Sequence, residues 1–416
     1  MKIAFVNQPI DEILPPNQNS VGACTFGTAR SLAKLCDVVA YGMSDKQDID
    51  FGPNLHFHFV SPTQKDHLIA KVRRKYSKLV RTSSPDSISS WQFPDFGRRV
   101  ATSLQKHKCD VIHLQHCAAY IPAIRRHNPR AKIVLHLHAE WFSQHRPARL
   151  QALLRHVDLV TTVSHYVTEK TKRDFPTIAD RCETTYNGID AQEFAFERDY
   201  RAARSAEKRI FYSGAISPHK GLHILLEAFK RVLERFPNVR LDISGPIGTY
   251  PFKECFDVKD QEQFRRLANF YASADAYFSH LKRLVPQNIA DKVTFLNFIS
   301  RSELINRYYG ADIFAFTPIW NEGYGIPPVE AMAAGTPVVA SRSGAIIETV
   351  KHQQTGLLVE RDNPQQTADA ILALLENDSL RKTMGERARR HVLEHFTWDR
   401  VGTHLYDRYR ALVAAK

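Results

Sequence analysis

The sequence predicts an α/β protein with more than one domain. Its 416 residues are enough for two or three domains of ordinary size, and 43% hydrophobic with 24% charged residues is a globular composition. Short apolar strands alternate with helical segments along the chain. A charged, apolar-poor segment at 198–208 separates two such series. We therefore expect an N-terminal domain at 1–197, this linker, a C-terminal domain at 209–395 and a last helix within 396–416.

The first domain begins with a strand at 2–7, and a loop then leads to Gly22 and a helix at 28–35. A strand that feeds a glycine turn and a helix is the phosphate-binding element of a Rossmann-like half, because the N–H groups of the first helical turn attract an anion. The full G-x-G-x-x-G fingerprint is absent, since Ala23 follows Gly22. A nicotinamide-dependent oxidoreductase, which requires that fingerprint, is therefore disfavoured.

Two further strands, at 111–114 and 133–137, are followed by polar side chains. Residues just past the carboxyl end of a parallel strand face the ligand crevice of an open α/β sheet. His138 has this position after the second strand. His136 lies on the same side, because strand side chains alternate with a period of two, and it is the weaker candidate.

The second domain repeats the pattern with a strand at 209–213 and a helix at 222–236. Gly214 opens the loop between them, and Lys220 ends it beside the helix start. An ammonium group there adds to the positive field of the helix N-terminus, so Lys220 is predicted to bind a diphosphate.

The most informative stretch is 321–341, which follows an apolar strand at 312–316. Its loop, at 322–327, carries glycines that permit positive φ and close approach of the backbone to a ligand. A helix is predicted to begin at Pro328, because proline suits the first turn, and a strand follows at 338–341. The loop and the helix N-terminus present free N–H groups, the arrangement that attracts a phosphate.

Two carboxylates frame this loop, with seven residues between Glu322 and Glu330. A carboxylate can accept two sugar hydroxyls at once, as a ribose or hexose diol requires. The alternative interpretation is a solvated loop charge for Glu322 and a first-turn residue that complements the helix dipole for Glu330. The two together, with the glycines and prolines between them, favour a functional site.

This spacing resembles the Glu–seven residues–Glu signature of retaining nucleotide-sugar glycosyltransferases of the GT-B fold, in particular glycosyltransferase family 4. The likeness continues at Gly344, Glu348 and 356–359, and the segments 157–164 and 186–190 also resemble the family. The resemblance implies two Rossmann-like domains that face each other across a cleft. The N-terminal domain would be on the acceptor side, the C-terminal domain would bind the nucleotide sugar, and the last helix would cross back to the N-terminal domain.

The resemblance also implies the activity: a retaining, metal-independent glycosyltransferase of the hexosyltransferase type. It would move a sugar from a nucleoside-diphosphate sugar to a glycan or lipid-linked acceptor in polysaccharide or glycolipid biosynthesis, with no cofactor. The catalytic residues would be Glu322, His138 and Lys220. The donor-binding residues would be Gly22, Gly214, Lys220, Gly323, Tyr324, Gly325, Ile326 and Glu330.

Two positions depart from the family pattern. Ala23 replaces the second glycine of the first loop, and Ala215 stands where an arginine usually supplies a second cation to the diphosphate. These departures motivate an alternative, a non-catalytic GT-B protein that binds nucleotide or glycan. The presence of Glu322, Lys220 and Glu330 opposes that alternative.

The charge of the chain implies an anionic partner, since 57 Lys and Arg against 44 Asp and Glu leave +13. Part of the excess lies on a predicted basic amphipathic helix at 65–81. This helix has two interpretations: contact with an anionic membrane surface, or ordinary packing on its domain. No nucleic-acid-binding motif accompanies the charge, so nucleic acid is not expected as a partner.

Location follows from two absences in the sequence. It has no apolar run of about 18 residues, so no spanning helix is predicted. Residues 1–10 lack the apolar region and cleavage site of a signal peptide. We therefore expect a cytoplasmic protein. The basic helix predicted at 65–81 would allow it to contact the inner face of the membrane.

Two further features complete the analysis. The six cysteines form no Cys-x-x-Cys pair, which predicts reduced, mostly buried thiols, and the cluster at 113–117 lacks a regularly spaced fourth metal ligand. We therefore predict no metal site. The segment 246–289 is longer than the helix usual in the family and rich in Phe and Tyr. It is predicted to be an insertion at the cleft side or rim of the second domain, with its aromatic side chains packed as a core.

Overall fold

The chain forms two compact units, each organised around one sheet. The first unit contains Met1–Gly188 and Trp398–Lys416, and the second contains Ile189–Thr397. The structure is a computed structural model, and it describes residues 1–16, 18–69, 71–72, 93–140, 147–196, 198, 207–248, 255–256 and 258–415.

The described part of the first unit has a sheet of eight strands. They are β1 (Lys2–Val6), β2 (Asp37–Gly42), β3 (Ile49–Asp50), β4 (Leu55–Phe59), β5 (Val111–Gln115), β6 (Lys132–Leu137), β7 (Leu159–Thr162) and β8 (Cys182–Thr184). Their order is β3-β4-β2-β1-β5-β6-β7-β8, and only the β3–β4 pair is antiparallel. No residue of β1, β5, β6 or β7 is exposed, which is the burial expected of parallel strands covered on both faces.

Helices connect these strands, and the first of them begins earlier than predicted. They are α1 (Ser20–Leu32), α2 (Pro94–His107), α3 (Ile121–His127), α4 (Pro147–Leu154) and α5 (His165–Asp174), with 3-10 turns at Ala118–Tyr120 and Pro176–Arg181. Asn19 is the N-cap of α1, and its side chain accepts the Gly22 N–H at 2.8 Å. Gly22 therefore lies inside the first helical turn and not in a loop before a helix at 28–35.

The C-terminal helix, Trp398–Ala414, belongs to the first unit and packs against α1. Glycines permit the close approach of the two helices. A Cβ atom at Gly27 would lie 2.3 Å from the Trp398 ring, and one at Gly402 would lie 2.2 Å from Ser31 Oγ. These contacts confirm that the last helix returns to the N-terminal domain.

The described part of the second unit has a sheet of six strands, all parallel. They are β9 (Lys208–Ser213), β10 (Val239–Ser244), β11 (Val293–Asn297), β12 (Ile313–Phe316), β13 (Val338–Ser341) and β14 (Gly356–Val359), in the order β11-β10-β9-β12-β13-β14. The α-helices are α6 (Leu222–Arg235), α7 (Val258–Gln263), α8 (Ala274–Leu284), α9 (Arg301–Gly310), α10 (Ile326–Ala333), α11 (Ile346–Thr349), α12 (Pro364–Leu375) and α13 (Asp378–His395). Three 3-10 helices are at Pro218–Lys220, Arg265–Tyr271 and Gln287–Lys292.

The second unit begins at Ile189, earlier than the sequence predicts. The reason is hydrogen bonding to residues far along the chain. The Ile189 N–H donates to the Phe396 carbonyl at 2.8 Å, and the Tyr309 hydroxyl donates to the Phe196 carbonyl at 3.0 Å. The predicted linker, 198–208, lies outside the described residues except at 198, 207 and 208.

The predicted basic helix at 65–81 is described only in part. Residues 65–69 and 71–72 are helical, and the remainder lies outside the described residues. Two members of its apolar stripe, Leu68 and Val72, are 61% and 58% exposed. The apolar stripe is thus open to solvent at these two positions.

The described part of the 246–289 insertion contains α7, the 3-10 helix Arg265–Tyr271 and α8. Phe256, Phe264 and Tyr277 are buried in it, as core-like packing predicts, whereas Phe270, Tyr271 and Phe278 are only partly buried. All six cysteines lie among the described residues and are buried, and none of them forms a disulfide bond. None of the described helices combines the length and the apolar character that a membrane-spanning helix needs.

Candidate active site

The strand order of each sheet reverses direction once, between β1 and β5 in the first unit and between β9 and β12 in the second. In open parallel sheets, ligands bind outside the carboxyl ends of the strands at such a switch point. Lys220 follows β9 and Glu322 follows β12. The topology therefore brings these two predicted residues to the switch point of the second unit.

The loop after β9 is held close to β12 by a glycine. Gly221 has φ +67° and is the N-cap residue of α6, and a Cβ atom there would lie 1.8 Å from the Thr317 carbonyl oxygen. Only glycine permits this approach, because any side chain would clash with the backbone. Gly214, at the other end of the loop, donates its N–H to the Ser244 carbonyl at 3.0 Å. Lys220 is consequently fixed next to the chain that leaves β12.

Lys220 and Glu322 form an ion pair, with Nζ 2.6 Å from Oε2. The Trp320 indole N–H donates to the same oxygen at 2.9 Å, and Lys220 Nζ lies 4.6 Å from the centre of the Trp320 ring. The Lys220 and Glu322 side chains are only 16% and 11% exposed. Glu322 is therefore not a solvated loop charge. Among the described residues, no donor contacts its other oxygen, Oε1.

The backbone of Glu322 is held on both sides. Its N–H donates to Ser343 Oγ at 3.2 Å, and its carbonyl accepts the Ala345 N–H at 2.8 Å. Gly344, with φ +49°, lies against this backbone, so that a Cβ atom there would be 2.3 Å from the Glu322 carbonyl oxygen. The carboxylate is thus presented from a fixed position, as electrostatic preorganisation requires.

Helix α10 begins at Ile326 and not at Pro328. Gly325, with φ +85°, is its N-cap residue, and the prolines occupy the first turn, where an N–H would have no intrahelical partner. No side chain caps this terminus. Gly323 and Tyr324 are buried beside it. The predicted loop thus ends in a helix N-terminus that has no side-chain cap.

Glu330 lies in the second turn of α10 and is buried. Its Oε1 accepts from the Arg301 guanidinium at 2.5 Å, and its Oε2 accepts from the Tyr308 hydroxyl at 3.0 Å. Burial opposes the charge of Arg301, but the carboxylates of Glu330 and Glu193 outweigh it and raise the pKa of the guanidinium. A carboxylate oxygen has two lone pairs, so each Glu330 oxygen has one that neither Arg301 nor Tyr308 uses. The interpretation of Glu330 as a helix-dipole residue therefore does not hold.

His138 lies just past the carboxyl end of β6 in the first unit. Its Nε2 is 2.6 Å from Gln115 Oε1, and its backbone N–H donates to His116 Nε2 at 3.0 Å. Because an amide oxygen only accepts, Nε2 carries the proton and Nδ1 is left as an acceptor. Burial, with His136 and His116 nearby, holds the pKa of His138 well below its usual value, so the ring is neutral.

His136 belongs to a different contact network. Its Nδ1 is 3.2 Å from His113 Nε2, and His113 Nδ1 is 2.5 Å from the hydroxyl of Tyr409 on the C-terminal helix. Burial lowers the pKa of His113 to about 3. These contacts connect β5, β6 and the last helix, and they agree with the weaker candidacy of His136 as a site residue.

The backbone of Gly22 makes close contacts within the first unit. Asn19 accepts its N–H, and a Cβ atom at Gly22 would lie 1.9 Å from the Glu12 carbonyl oxygen. The close packing explains the glycine. Donor binding by Gly22 stays a prediction. Its backbone N–H does not support that role, because it already donates to Asn19.

Several site contacts escaped the sequence analysis. Trp320 precedes Glu322 by two residues, and an indole so close to a candidate carboxylate is a signal that could have been used. Arg301, Tyr308 and Gln115 gave no such signal, because each meets its partner across a distance of 22 residues or more in the chain.

In the described ranges, no group of three or more His, Cys, Asp or Glu residues is arranged to hold a metal ion.

Two family models match the chain. Residues 25–193 match the one described as Glycosyltransferase Family 4, and residues 194–391 match the one described as Glycosyl transferases group 1. Among curated proteins, the chain is similar to YtcC of Bacillus subtilis, with 29% identity over 332 residues that cover 76% of each chain. It is also similar to the D-inositol 3-phosphate glycosyltransferase of Corynebacterium glutamicum, with 28% identity over 64% of this chain and 60% of the relative.

Two solved structures are similar over almost the whole chain. One is Anabaena HepE in complex with UDP and glucose, with a TM-score of 0.70 and 18% identity over 99% of this chain and 100% of that one. The other is sucrose-phosphate synthase from Thermosynechococcus elongatus, with a TM-score of 0.76 and 20% identity over 100% of both chains. At this identity the likeness is one of fold.

Proposed function

Because the chain belongs to the family 4, group 1 glycosyltransferases, we propose that it moves a sugar from a nucleoside-diphosphate sugar to an acceptor hydroxyl with retention at the anomeric carbon. Its two α/β units have the GT-B fold that the sequence predicts. The observation that carries the proposal is the Lys220–Glu322 ion pair at the switch point of the second unit. The pair combines a cation for a diphosphate with a carboxylate for sugar hydroxyls.

The leaving diphosphate would be stabilised by fixed positive charge. Lys220 and the open N-terminus of α10 supply it in a largely buried setting, where electrostatic stabilisation is stronger than in water. This arrangement requires no metal ion, so transfer should persist in a chelator. Retention requires no protein nucleophile if the acceptor attacks on the face of the leaving group and the departing phosphate oxygen takes its proton.

The carboxylates would recognise the two sugars of the donor. Glu322 Oε1 is available to hydroxyls of the transferred sugar, with the 323–326 backbone beside it. Glu330 would accept the ribose hydroxyls through the lone pairs that Arg301 and Tyr308 leave open. Both carboxylates are held in place by protein donors before a ligand arrives, which lowers the entropic cost of binding.

His138 is the proposed contribution of the first unit to the reaction. Its neutral ring donates through Nε2 to Gln115, so that Nδ1 can accept a hydrogen bond from a sugar hydroxyl. The hexosyltransferase type rests on the family resemblance, and this role for His138 rests on that resemblance together with the tautomer that the Gln115 contact assigns.

The nature of the donor and acceptor is a further part of the proposal. HepE structures hold UDP and UDP-glucose, which supports UDP-sugars as the first donors to test. The acceptor would be a glycan or a lipid-linked glycan in polysaccharide or glycolipid synthesis. We propose a cytoplasmic location with peripheral contact to the inner face of the membrane. The exposed Leu68 and Val72, beside Lys65 and Lys71, support contact with an anionic membrane surface. Flotation with anionic but not with neutral vesicles would support this location.

The test is a thermal-shift and turnover panel with UDP-, GDP- and ADP-sugars, with and without a chelator. One donor should raise the melting temperature, undergo slow hydrolysis and lose both effects in Glu330→Ala and Glu330→Gln. The second variant keeps hydrogen-bonding atoms towards Arg301 and Tyr308 and so separates lost binding from lost stability. Binding without turnover for any donor and acceptor would favour the alternative of a non-catalytic binding protein, which the alanine at 215 motivates.

A further inference from the structure

The described part of the 246–289 insertion reaches the loop that carries Glu322. Asp260, in α7, is 5% exposed and accepts from the Asn321 side-chain amide at 3.2 Å. It also pairs with both arms of Arg361, with Nη1 3.0 Å from Oδ2 and Nη2 3.3 Å from Oδ1. A buried carboxylate from the insertion thus contacts the residue next to Glu322.

Arg361 extends this contact to the other side of Trp320. Its Nη1 also donates to the Ile319 carbonyl at 3.0 Å and lies 3.3 Å from Asn321 Oδ1. The Asp260–Arg361 pair therefore holds both neighbours of Trp320. Trp320, whose indole donates to Glu322, lies between these two anchored residues.

The insertion supports the same loop from a second direction. Cys255 Sγ is 3.5 Å from His219 Nδ1, and the His219 ring centre is 4.7 Å from that of Trp320. The His219 carbonyl accepts the Ile319 N–H at 2.9 Å. Burial and the adjacent Lys220 hold the pKa of His219 well below its usual value, so the ring packs here as a neutral group.

We infer that Asp260 is a positioning residue for the transfer reaction: through Arg361 and Asn321 it fixes the 319–322 loop in the conformation that joins Trp320, Glu322 and Lys220. The inference rests on the proposed function and gives the insertion a role in it. The groups that face Asp260 here are donors, so a carboxylate satisfies them, whereas an amide would turn an NH₂ group towards one of them.

The test compares Asp260→Asn and Asp260→Glu with a matched control, Arg266→Met. Arg266 is also in the insertion, and it pairs at 2.5 Å with Asp362, the residue that follows Arg361 in the sequence. The Arg266 side chain is 55% exposed, and among the described residues it makes no contact with 319–322. We expect Asp260→Asn to lower kcat by about 10- to 100-fold with a smaller change in donor KM, because misplaced catalytic groups act mainly on the transition state. Asp260→Glu should recover part of the loss, and the control should stay within about twofold of the wild type.

A second readout does not depend on turnover. In protein labelled with 5-fluorotryptophan, the fluorine resonance of Trp320 is assigned by its loss in Trp320→Phe. It should shift or broaden in Asp260→Asn and stay unchanged in Arg266→Met. An unchanged resonance and kcat in Asp260→Asn would overturn the inference, and so would a loss that tracks the fall in melting temperature alone. If the wild type turns over no donor, the proposed function fails, and the fluorine comparison still decides whether Asp260 positions the loop.

Discussion

The two units place different chemistry at the carboxyl ends of similar parallel sheets. In the first unit, His138 and His116 are neutral imidazoles, and Gln115 is a neutral amide that fixes the His138 tautomer. In the second unit, Glu322 is paired with Lys220. The second carboxylate of that unit, Glu330, is likewise paired with an arginine.

The difference follows from burial. A buried imidazole can lose its proton and remain as a neutral hydrogen-bonding group, whereas a buried carboxylate keeps its charge only beside a cation. Neutral rings and amides suit uncharged hydroxyls, and paired charges suit a diphosphate and the diols of a nucleotide sugar. Under the proposed function, the same sheet topology would thus support two kinds of ligand contact, and four experiments test this contrast.

The largest effect is expected from removing the charge of Glu322. In Glu322→Gln the Lys220 ammonium loses its partner, and the amide presents an NH₂ group to one of the donors around it. We expect kcat/KM for donor turnover to fall by about 10³-fold, or about 4 kcal/mol. Glu303→Gln, which removes a surface partner of Arg307, is the control and should change it by less than twofold. A loss below tenfold for Glu322→Gln would contradict the contrast between neutral groups in the first unit and paired charges in the second.

Lys220→Met tests the cation of the same pair. The methionine keeps apolar contact with the Trp320 ring but removes the charge, so we expect a loss of about 10²-fold in kcat/KM. The double variant with Glu322→Gln should lose less than the product of the two single effects, because each single change already breaks the pair. Additive losses would show that the two residues act independently. Lys230→Met, which removes a surface pair with Glu227, is the matched control.

Low pH should charge the neutral histidines of the first unit and destabilise it. Burial lowers the pKa of His116 from 6.5 to about 4. Above pH 6.5 the ring is neutral in both the folded and the unfolded state. Below it, the unfolded state binds a proton that the folded state takes up only near pH 4. This residue alone should therefore cost about 1.4 kcal/mol of unfolding free energy per pH unit over that window.

Urea unfolding of the first unit between pH 7.5 and 5.5 measures this loss. His116→Gln, which keeps an acceptor for the His138 N–H, should flatten the pH dependence by about 1.4 kcal/mol at pH 5.5. His404→Gln is the control, because that side chain is exposed in the folded state too. An equal slope in all three proteins would contradict the assignment of a neutral, buried His116.

The smallest effect is expected from Trp320→Phe. The phenyl ring keeps most of the aromatic contact with Lys220 and His219, and only the indole hydrogen bond to Glu322 is lost. We expect kcat/KM to fall by about three- to tenfold, since a single hydrogen bond contributes about 0.5 to 1.5 kcal/mol net. A loss as large as that of Glu322→Gln would mean that Trp320 contributes more than orientation.

The fold class, the order of strands and helices, and the candidates Glu322, Glu330, Lys220 and His138 could be predicted from the amino-acid sequence. Strand and helix patterns are local, and the loop at 322–327 is marked by glycines and prolines whose conformational preferences belong to the residues themselves. The predicted start of α1 is wrong, because the Asn19 side chain caps the helix and lets it begin at Ser20.

The pairing of these residues, in contrast, is seen only in the folded protein. The partners of Glu330, which are Arg301 and Tyr308, come from another helix, and Asp260 meets Arg361 across 101 residues of chain. The segment after Ile189 joins the second unit for the same reason, since its hydrogen-bond partner is Phe396. Such contacts depend on which strand ends the sheet brings together. A local pattern of residues does not show which distant parts of the chain will meet.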